Sequence, residues 1–286
     1  MQTVKHIADV RSAVVAARAT DADRTVRVAL VPTMGNLHAG HLTLVEAAQA
    51  EHDFVIASIF VNPLQFGAGE DFGSYPRTLE QDAAALAQIG TDLLFAPEVE
   101  ELYPHGQADH AKIILPELAD TLCGSHRPGH FDGVATVVMK LLNITKPDSA
   151  LFGEKDFQQL LILKTMAHDF NLDVTIAGVP TVRADDGLAL SSRNQYLTDD
   201  ERSRAPKIHA TLSDIAGAIA AGATNHDNLL EHGRSALTKA GFEIDYLQLV
   251  DANSLREPQA NTKELRLLVA ANLGRARLID NIGITL

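Results

Sequence analysis

The apolar positions of this chain follow two alternating rhythms over roughly its first 180 residues. Short runs rich in Val, Ile, Leu and Phe at 27–31, 54–61, 92–95, 112–115, 150–152 and 174–179 read as buried strands. Between them, 42–51, 79–89, 131–142 and 158–170 place their apolar residues at helical spacing. Strands that alternate with helices predict a parallel sheet covered on both faces, an α/β fold of the doubly wound kind. In such a sheet, ligands are held at the carboxyl ends of the strands.

The rhythm changes near Pro180. Arg183-Ala-Asp-Asp-Gly-Leu188 reads as a tight hairpin turn, and Thr198-Asp-Asp-Glu201 as a capping box that opens a helix. Helices are expected over 199–221 and 226–239, then strands at 244–250, 265–270 and 277–282. Two domains are therefore expected, an α/β part over 1–179 and a smaller α+β part over 180–286. The second is expected to close over the site or to mediate dimerisation. The loop 62–75 holds several glycines, a proline and two acidic residues. Its length inside a compact domain marks it as a lid or binding loop.

Composition narrows the partners. Hydrophobic residues make up 46% of the chain, a globular value, and no apolar run reaches membrane-spanning length. No signal-peptide pattern is seen at the N-terminus. The single cysteine, Cys123, cannot form an intrachain disulfide, which suits a reducing cytoplasm. A net charge of −13 argues against nucleic acid, which needs a basic surface. Any phosphate-bearing ligand must then meet locally concentrated donors, for which Lys155, Arg193, Arg127, His38 and His41 are the candidates.

The densest chemistry lies in Val31-Pro-Thr-Met-Gly-Asn-Leu-His-Ala-Gly-His41, which follows the first strand and enters the first helix. His38 and His41 share one face of that helix entrance, where backbone N–H groups and the dipole attract anions. Gly40 removes a side chain where a ligand would approach the backbone. Local hydrogen bonding of the two rings is the plainer reading of any His-x-x-His. Zinc is a third, but no cysteine is near and no third ligand stands at helical spacing. A strand, a glycine turn and a helix with two imidazoles at its mouth suit a nucleotide.

Other motifs follow in order: Phe60-Val-Asn-Pro-Leu-Gln-Phe66, His126-Arg-Pro-Gly-His-Phe131, Gly153-Glu-Lys-Asp-Phe-Gln-Gln159 and Leu190-Ser-Ser-Arg-Asn194. The first stretch resembles the His-x-Gly-His element of Rossmann-like nucleotidyltransferases. The whole series, spanning residues 31–194, resembles the pantoate–β-alanine ligases. That resemblance implies that Met34, Gly35, Asn36, Leu37, His38, Ala39, Gly40 and His41 lie along ATP. It adds Gly153, Glu154, Lys155, Asp156, Val182, Leu190, Ser191, Ser192 and Arg193 to the ATP site. Many members carry Met where this chain has Leu190, a change that a backbone contact to adenine tolerates. His41, His38 and Lys155 are the implied catalytic groups. Gln65, Gln159 and Asn62 are the implied pantoate and β-alanine site, neutral amides that suit a small hydroxy acid. Arg127 is expected to orient the site or the phosphates, and His126 and His130 to be structural.

The implied reaction is a two-step ligation: pantoate displaces pyrophosphate from ATP, and β-alanine then takes the acyl group from the adenylate. It needs no enzyme nucleophile, and none is evident in the chain. Mg²⁺ is expected with the ATP, its protein ligands unassigned, and the family resemblance implies a homodimer. Two other readings differ in what they demand. An adenylyltransferase for a phosphate-bearing acceptor would call for more cations and would leave Gln65 and Gln159 out of place. A nucleotide-sensing module that has lost catalysis would have damaged phosphate-handling residues, yet His38, His41, Lys155, Ser191, Ser192 and Arg193 are all present.

Overall fold

The computed structural model describes residues 1–20, 25–67, 69–115 and 118–286, with the backbone alone of Asp71. In chain order the first elements are β1 (Gln2–Val4), α1 (Ile7–Arg18), β2 (Val28–Thr33), α2 (Ala39–Glu51), β3 (Phe54–Ile59), α3 (Leu79–Gln88) and β4 (Leu93–Phe95). Next come α4 (Val99–Leu102), α5 (Cys123–His126), α6 (His130–Thr145), β5 (Ser149–Gly153), α7 (Phe157–Asp169) and β6 (Thr175–Val179). The remainder is α8 (Asp199–Arg204), α9 (Lys207–Ala220), α10 (His226–Lys239), β7 (Glu243–Asp251), β8 (Glu264–Leu273) and β9 (Ala276–Thr285). The chain divides into two compact units. One holds 1–120, 127–154 and 159–180; the other holds 181–286 together with 121–126 and 155–158.

The first unit is built on a six-stranded, all-parallel sheet of order β1-β4-β3-β2-β5-β6. Alternation along the strands sends side chains to two separate cores. Val28, Leu30, Ile56, Leu93, Phe95, Ala150 and Phe152 pack with Val10 and Val14 of α1, Val134, Val138 and Leu141 of α6, and Leu163 and Met166 of α7. Ala29, Val31, Val55, Ala57, Leu94 and Leu151 face the other way, onto Leu44, Val45 and Ala48 of α2 and Leu86 of α3. This is the doubly wound sheet expected from the apolar runs. Its central strand reads as unbroken apolar because both of its faces are covered.

Where pattern and structure part, the causes are local. The run 112–115 is not a strand. The Ile113 N–H donates to Thr136 Oγ1 at 3.0 Å and the Leu115 N–H to Asp132 Oδ1 at 3.3 Å. Side chains of α6 thus take the bonds that a sheet neighbour would have taken. The helix expected over 199–221 is two helices, α8 and α9, parted at Pro206, which has no N–H to continue the ladder. The pair β1 and α1 has no counterpart among the expected elements. A three-residue edge strand is too short to show a period, and α1 buries only Val10 and Val14 among alanines.

The second unit carries a three-stranded antiparallel sheet, β7-β8-β9, covered by α9 and α10. Leu273 pairs with Ala276 across the Gly274-Arg275 turn, where Gly274 has φ 56°. The capping box is present: Thr198 accepts from the Glu201 N–H at 3.3 Å, and Glu201 accepts from the Thr198 N–H at 2.8 Å. Among the described residues no helix is long and apolar enough to cross a membrane.

One helix contact controls the loop after β3. A Cβ on Gly133 of α6 would stand 2.3 Å from the Leu64 carbonyl oxygen and 2.7 Å from the Gln65 nitrogen. The α6 helix therefore presses its bare backbone on the 3₁₀ turn Pro63–Gln65. Gly133→Ala is expected to lower stability by about 1–3 kcal/mol through overpacking. A lower urea midpoint at unchanged slope is the readout.

Candidate active site

Strand β2 ends in the middle of the sheet, with β3 on one side and β5 on the other. The helix after β2 packs on one face and the helix after β5 on the opposite face. The chain reversal between β2 and β5 is thus the switch point of the sheet, where a crevice opens at the carboxyl ends of the strands. The two segments that leave these ends are 34–38 and 153–154.

The first of them is shaped by a carboxylate. Gly35 and Asn36 take φ 83° and 51°, left-handed geometry that turns the chain back toward α2. Asp82 of α3, only 4% exposed, accepts the Asn36 N–H at Oδ2 and the Leu37 N–H at Oδ1, both at 2.8 Å. The Thr78 hydroxyl donates to Oδ2 at 3.0 Å. A Cβ on Gly35 would lie 3.1 Å from that same oxygen. Buried charge is tolerated here because several donors converge on it. The sequence gives no sign of this role for Asp82, because an acid in the first turn of a helix is an ordinary dipole partner.

Beyond the turn, His38 caps α2 in extended conformation, and its N–H donates to His41 Nδ1 at 3.3 Å. The two rings lie 4.0 Å apart, tilted by 34°. An amide donor at Nδ1 places the proton of a neutral His41 ring on Nε2. His41 therefore presents an N–H donor at its far edge, beside the helix N-terminus. That edge suits an anionic oxygen.

A chain of amides runs from the buried core to this turn. The Tyr103 hydroxyl donates to Asn62 Oδ1 at 2.8 Å. Asn62 Nδ2 donates to the Gly133 carbonyl at 3.0 Å and to Gln65 Oε1 at 3.2 Å. The Gly133 carbonyl can only accept, so Asn62 is fixed in orientation, and with it Gln65. Gln65 Nε2 then lies 3.0 Å from Met34 Sδ. Two stretches 31 residues apart, one expected at the nucleotide and one at the hydroxy acid, meet at that contact. Tyr103 and its role have no signal in the sequence.

Arg127 is engaged by a carboxylate and an imidazole. Its guanidinium grips Glu70 with two bonds of 2.7 and 2.6 Å, and its Nη1 lies 2.9 Å from His130 Nε2. His130 Nδ1 in turn donates to the Gln65 carbonyl at 2.8 Å. Arg127 thereby ties Glu70 to the first turn of α6. Phe66 packs with Phe72 and Tyr75 across the same segment, at ring separations of 5.3 and 5.8 Å. Ala68 of the expected lid lies outside the described residues.

Gly153 and Glu154 follow β5 directly, and Gln159 stands half-buried in the first turns of α7. In the second unit, Lys155 is mostly buried and its Nζ lies 3.7 Å from Asp156 Oδ2. The expected hairpin forms there. Leu190 donates to the Val182 carbonyl at 2.9 Å, Ala184 to the Leu188 carbonyl at 2.8 Å, and Gly187 turns at φ 91°. Ser191 Oγ accepts the Arg193 N–H at 3.3 Å and caps the 3₁₀ turn Ser192–Tyr196. Arg183 clasps the buried Asp280 at 2.6 and 2.8 Å, which anchors the hairpin to β9. Among the described residues no three His, Cys, Asp or Glu side chains converge as a metal cage.

A doubly wound sheet with an imidazole pair at its switch point defines a nucleotide-handling α/β enzyme. Comparison with known proteins gives the family. The model of the pantoate-beta-alanine ligase family matches residues 2–283. Pantothenate synthetase from Pseudomonas savastanoi pv. phaseolicola is 52% identical over 285 residues, covering 100% of this chain and 99% of the relative. The Azotobacter vinelandii pantothenate synthetase is 52% identical over 284 residues, covering 99% of each chain. Among solved structures, a pantothenate synthetase from Thermus thermophilus superposes with TM-score 0.89 at 46% identity, covering 99% of both chains. A pantoate-beta-alanine ligase from Francisella tularensis, complexed with beta-gamma ATP and beta-alanine, gives TM-score 0.79 at 36% identity, covering 99% of this chain and 97% of that one. The chain belongs to the pantoate–β-alanine ligase family.

The Arg127 tether has a pH consequence. Burial alone would raise the Glu70 carboxyl, but hydrogen bonds and charge from Arg127 outweigh it and hold the group below its usual 4.5. A depressed carboxylate stabilises the fold above its unfolded value, and that stability is lost as pH falls through the folded one. Unfolding stability is expected to drop as pH falls below about 4.5. Glu70→Gln should flatten that part of a urea-denaturation series.

Proposed function

We propose that this chain carries out its family's condensation of pantoate with β-alanine through a pantoyl adenylate. The pantoate carboxylate attacks the α-phosphorus of ATP and pyrophosphate leaves. The β-alanine amine then attacks the acyl carbon, and AMP leaves with the electron pair of the broken C–O bond. The observation that carries the reading is the Met34–Gln65 contact. It joins the segment assigned to ATP to the amide assigned to pantoate at one strand end, as attack of a carboxylate on a phosphorus requires.

The residues divide the work as follows. Gln65, with Gln159 and Asn62, addresses the hydroxyl and carboxylate of pantoate. The fixed orientation of Gln65 offers Nε2–H as donor. His41 and His38 stabilise charge that develops on the phosphate oxygens as pyrophosphate departs, His41 through its Nε2–H. Met34, Gly35, Asn36, Leu37, Ala39 and Gly40 line the nucleotide along the turn that Asp82 holds. Gly153 and Glu154 approach it with their backbone, and Asp156 takes the ribose hydroxyls. Lys155, Ser191, Ser192 and Arg193 serve the phosphates, and the backbone of Val182 and Leu190 the adenine. The 62–75 loop, tied by Arg127, keeps water from the reactive anhydride.

Mg²⁺ fits as a companion of the ATP phosphates. The chain offers no all-protein cage among its described residues, and Mg²⁺ of this kind keeps phosphate and water as its main ligands. It would neutralise phosphate charge. The resemblance supports a homodimer, which sedimentation measures directly. The single cysteine and a biosynthetic role support a cytoplasmic location.

The test is pyrophosphate release from ATP and Mg²⁺. Release with D-pantoate present and β-alanine absent supports the adenylate. Release that needs β-alanine from the start contradicts it. His41→Ala is expected to slow the release by about a hundred- to a thousandfold with the fold intact by circular dichroism. Tyr103→Phe removes one bond worth about 1 kcal/mol. It should raise the KM for pantoate by about fivefold and leave the KM for ATP unchanged.

A further inference from the structure

The last strand of the chain carries a buried amide that the proposed chemistry does not use. Asn281 of β9 is 4% exposed. Its Oδ1 accepts from Arg266 Nε at 2.7 Å, and its Nδ2 donates to the Lys155 carbonyl at 2.9 Å. A guanidinium can only donate and a carbonyl can only accept, so the amide has one orientation. Arg266 and Asn281 are diagonal neighbours on one face of the β8–β9 pair, where Arg266 stands opposite Gly283 and Asn281 opposite Leu268. A Cβ on Gly283 would come 2.9 Å from the Arg266 guanidinium, so the glycine leaves room for it. The same guanidinium lies over the Phe157 ring, 4.0 Å from its centroid. Residues 155 and 157 are thus each held by this face of β9 and β8, and 155–158 fall within the second unit.

We infer that Asn281 is a positioning residue for Lys155. Strand β9 offers an amide donor at the one backbone carbonyl next to the cationic side chain, and Arg266 locks the amide from behind. The inference rests on the reading of Lys155 as a phosphate-handling group. A backbone held at both the carbonyl and the following ring gives the lysine a fixed origin, so that its ammonium need not be ordered anew at each turnover. A strand far along the sequence thereby contributes to the nucleotide step without touching the nucleotide.

The isosteric variant Asn281→Asp separates this from a structural role. Aspartate keeps the acceptor for Arg266 and strengthens that contact, but sets an oxygen against the Lys155 carbonyl. In the full chain, with ATP, Mg²⁺ and D-pantoate, Asn281→Asp is expected to lower kcat/KM for ATP by about ten- to a hundredfold, while the KM for pantoate holds. In a Lys155→Ala background the same change should cost almost nothing more, since both act on one group. If Asn281→Asp does not fold, Asn281→Ala removes both bonds without opposing two acceptors and is read in the same way. An unimpaired Asn281→Asp, or a full further loss in the Lys155→Ala background, overturns the inference alone. An unimpaired Lys155→Ala overturns the assignment of Lys155 on which it rests.

Discussion

The buried carboxylate of Asp82 is the constraint on which the turn between β2 and α2, the segment proposed to meet the nucleotide, depends. Two successive N–H groups, those of Asn36 and Leu37, point at one side chain, and the backbone between Gly35 and Asn36 adopts left-handed geometry to allow it. Those bonds hold the turn in the register in which it enters α2. The spacing of His38 and His41 is meaningful only because that turn delivers them to the first turn of the helix. A carboxylate supported by several donors is a rigid pivot in a low-dielectric interior. Here it holds the turn that leads into α2, the helix proposed to meet phosphate, while the carboxylate itself stays shielded from solvent.

The same logic recurs in neutral form. Asn62 is oriented by a backbone carbonyl and by Tyr103, and it hands that orientation to Gln65. Asn281 is oriented by Arg266 and holds the Lys155 carbonyl. Amides suit this work because each offers a donor and an acceptor at fixed separation, so one partner of known sense determines the other end. Such networks are costly if half satisfied, which explains their placement in well-packed surroundings. Tyr103 shows the cost most directly, since burial pushes its hydroxyl far above the usual phenol range and keeps it a donor.

Much of this is legible in the chain. The alternation of apolar runs predicts the doubly wound sheet, because strands covered on both faces must be apolar throughout. The hairpin at 183–188 and the capping box at Thr198 are readable because turn and cap chemistry is local. The glycines and histidines at 35–41 advertise a phosphate-type turn for the same reason. What escapes is non-local. Asp82 holds Asn36, Tyr103 holds Asn62, Glu70 holds Arg127 and Asn281 holds Lys155, across separations of 41 to 126 residues. Nothing in their own neighbourhoods distinguishes them from surface or core residues. Arg127 shows the same limit: the sequence offers a cation expected to orient the site or the phosphates, and only the fold shows the Glu70 carboxylate it pairs with. The strand expected at 112–115 fails similarly, since its bonds go to helix side chains that no periodicity reveals.

The central claim is that pantoate is activated as an adenylate, and isotope transfer tests it most directly. Pantoate labelled with ¹⁸O in its carboxylate is converted with ATP, Mg²⁺ and β-alanine, and the AMP is analysed by mass spectrometry. Attack of the carboxylate on the α-phosphorus leaves one labelled oxygen in AMP when the amine displaces it. Unlabelled AMP alongside pantothenate would show that the carboxylate never bonded to that phosphorus, and the account would be wrong.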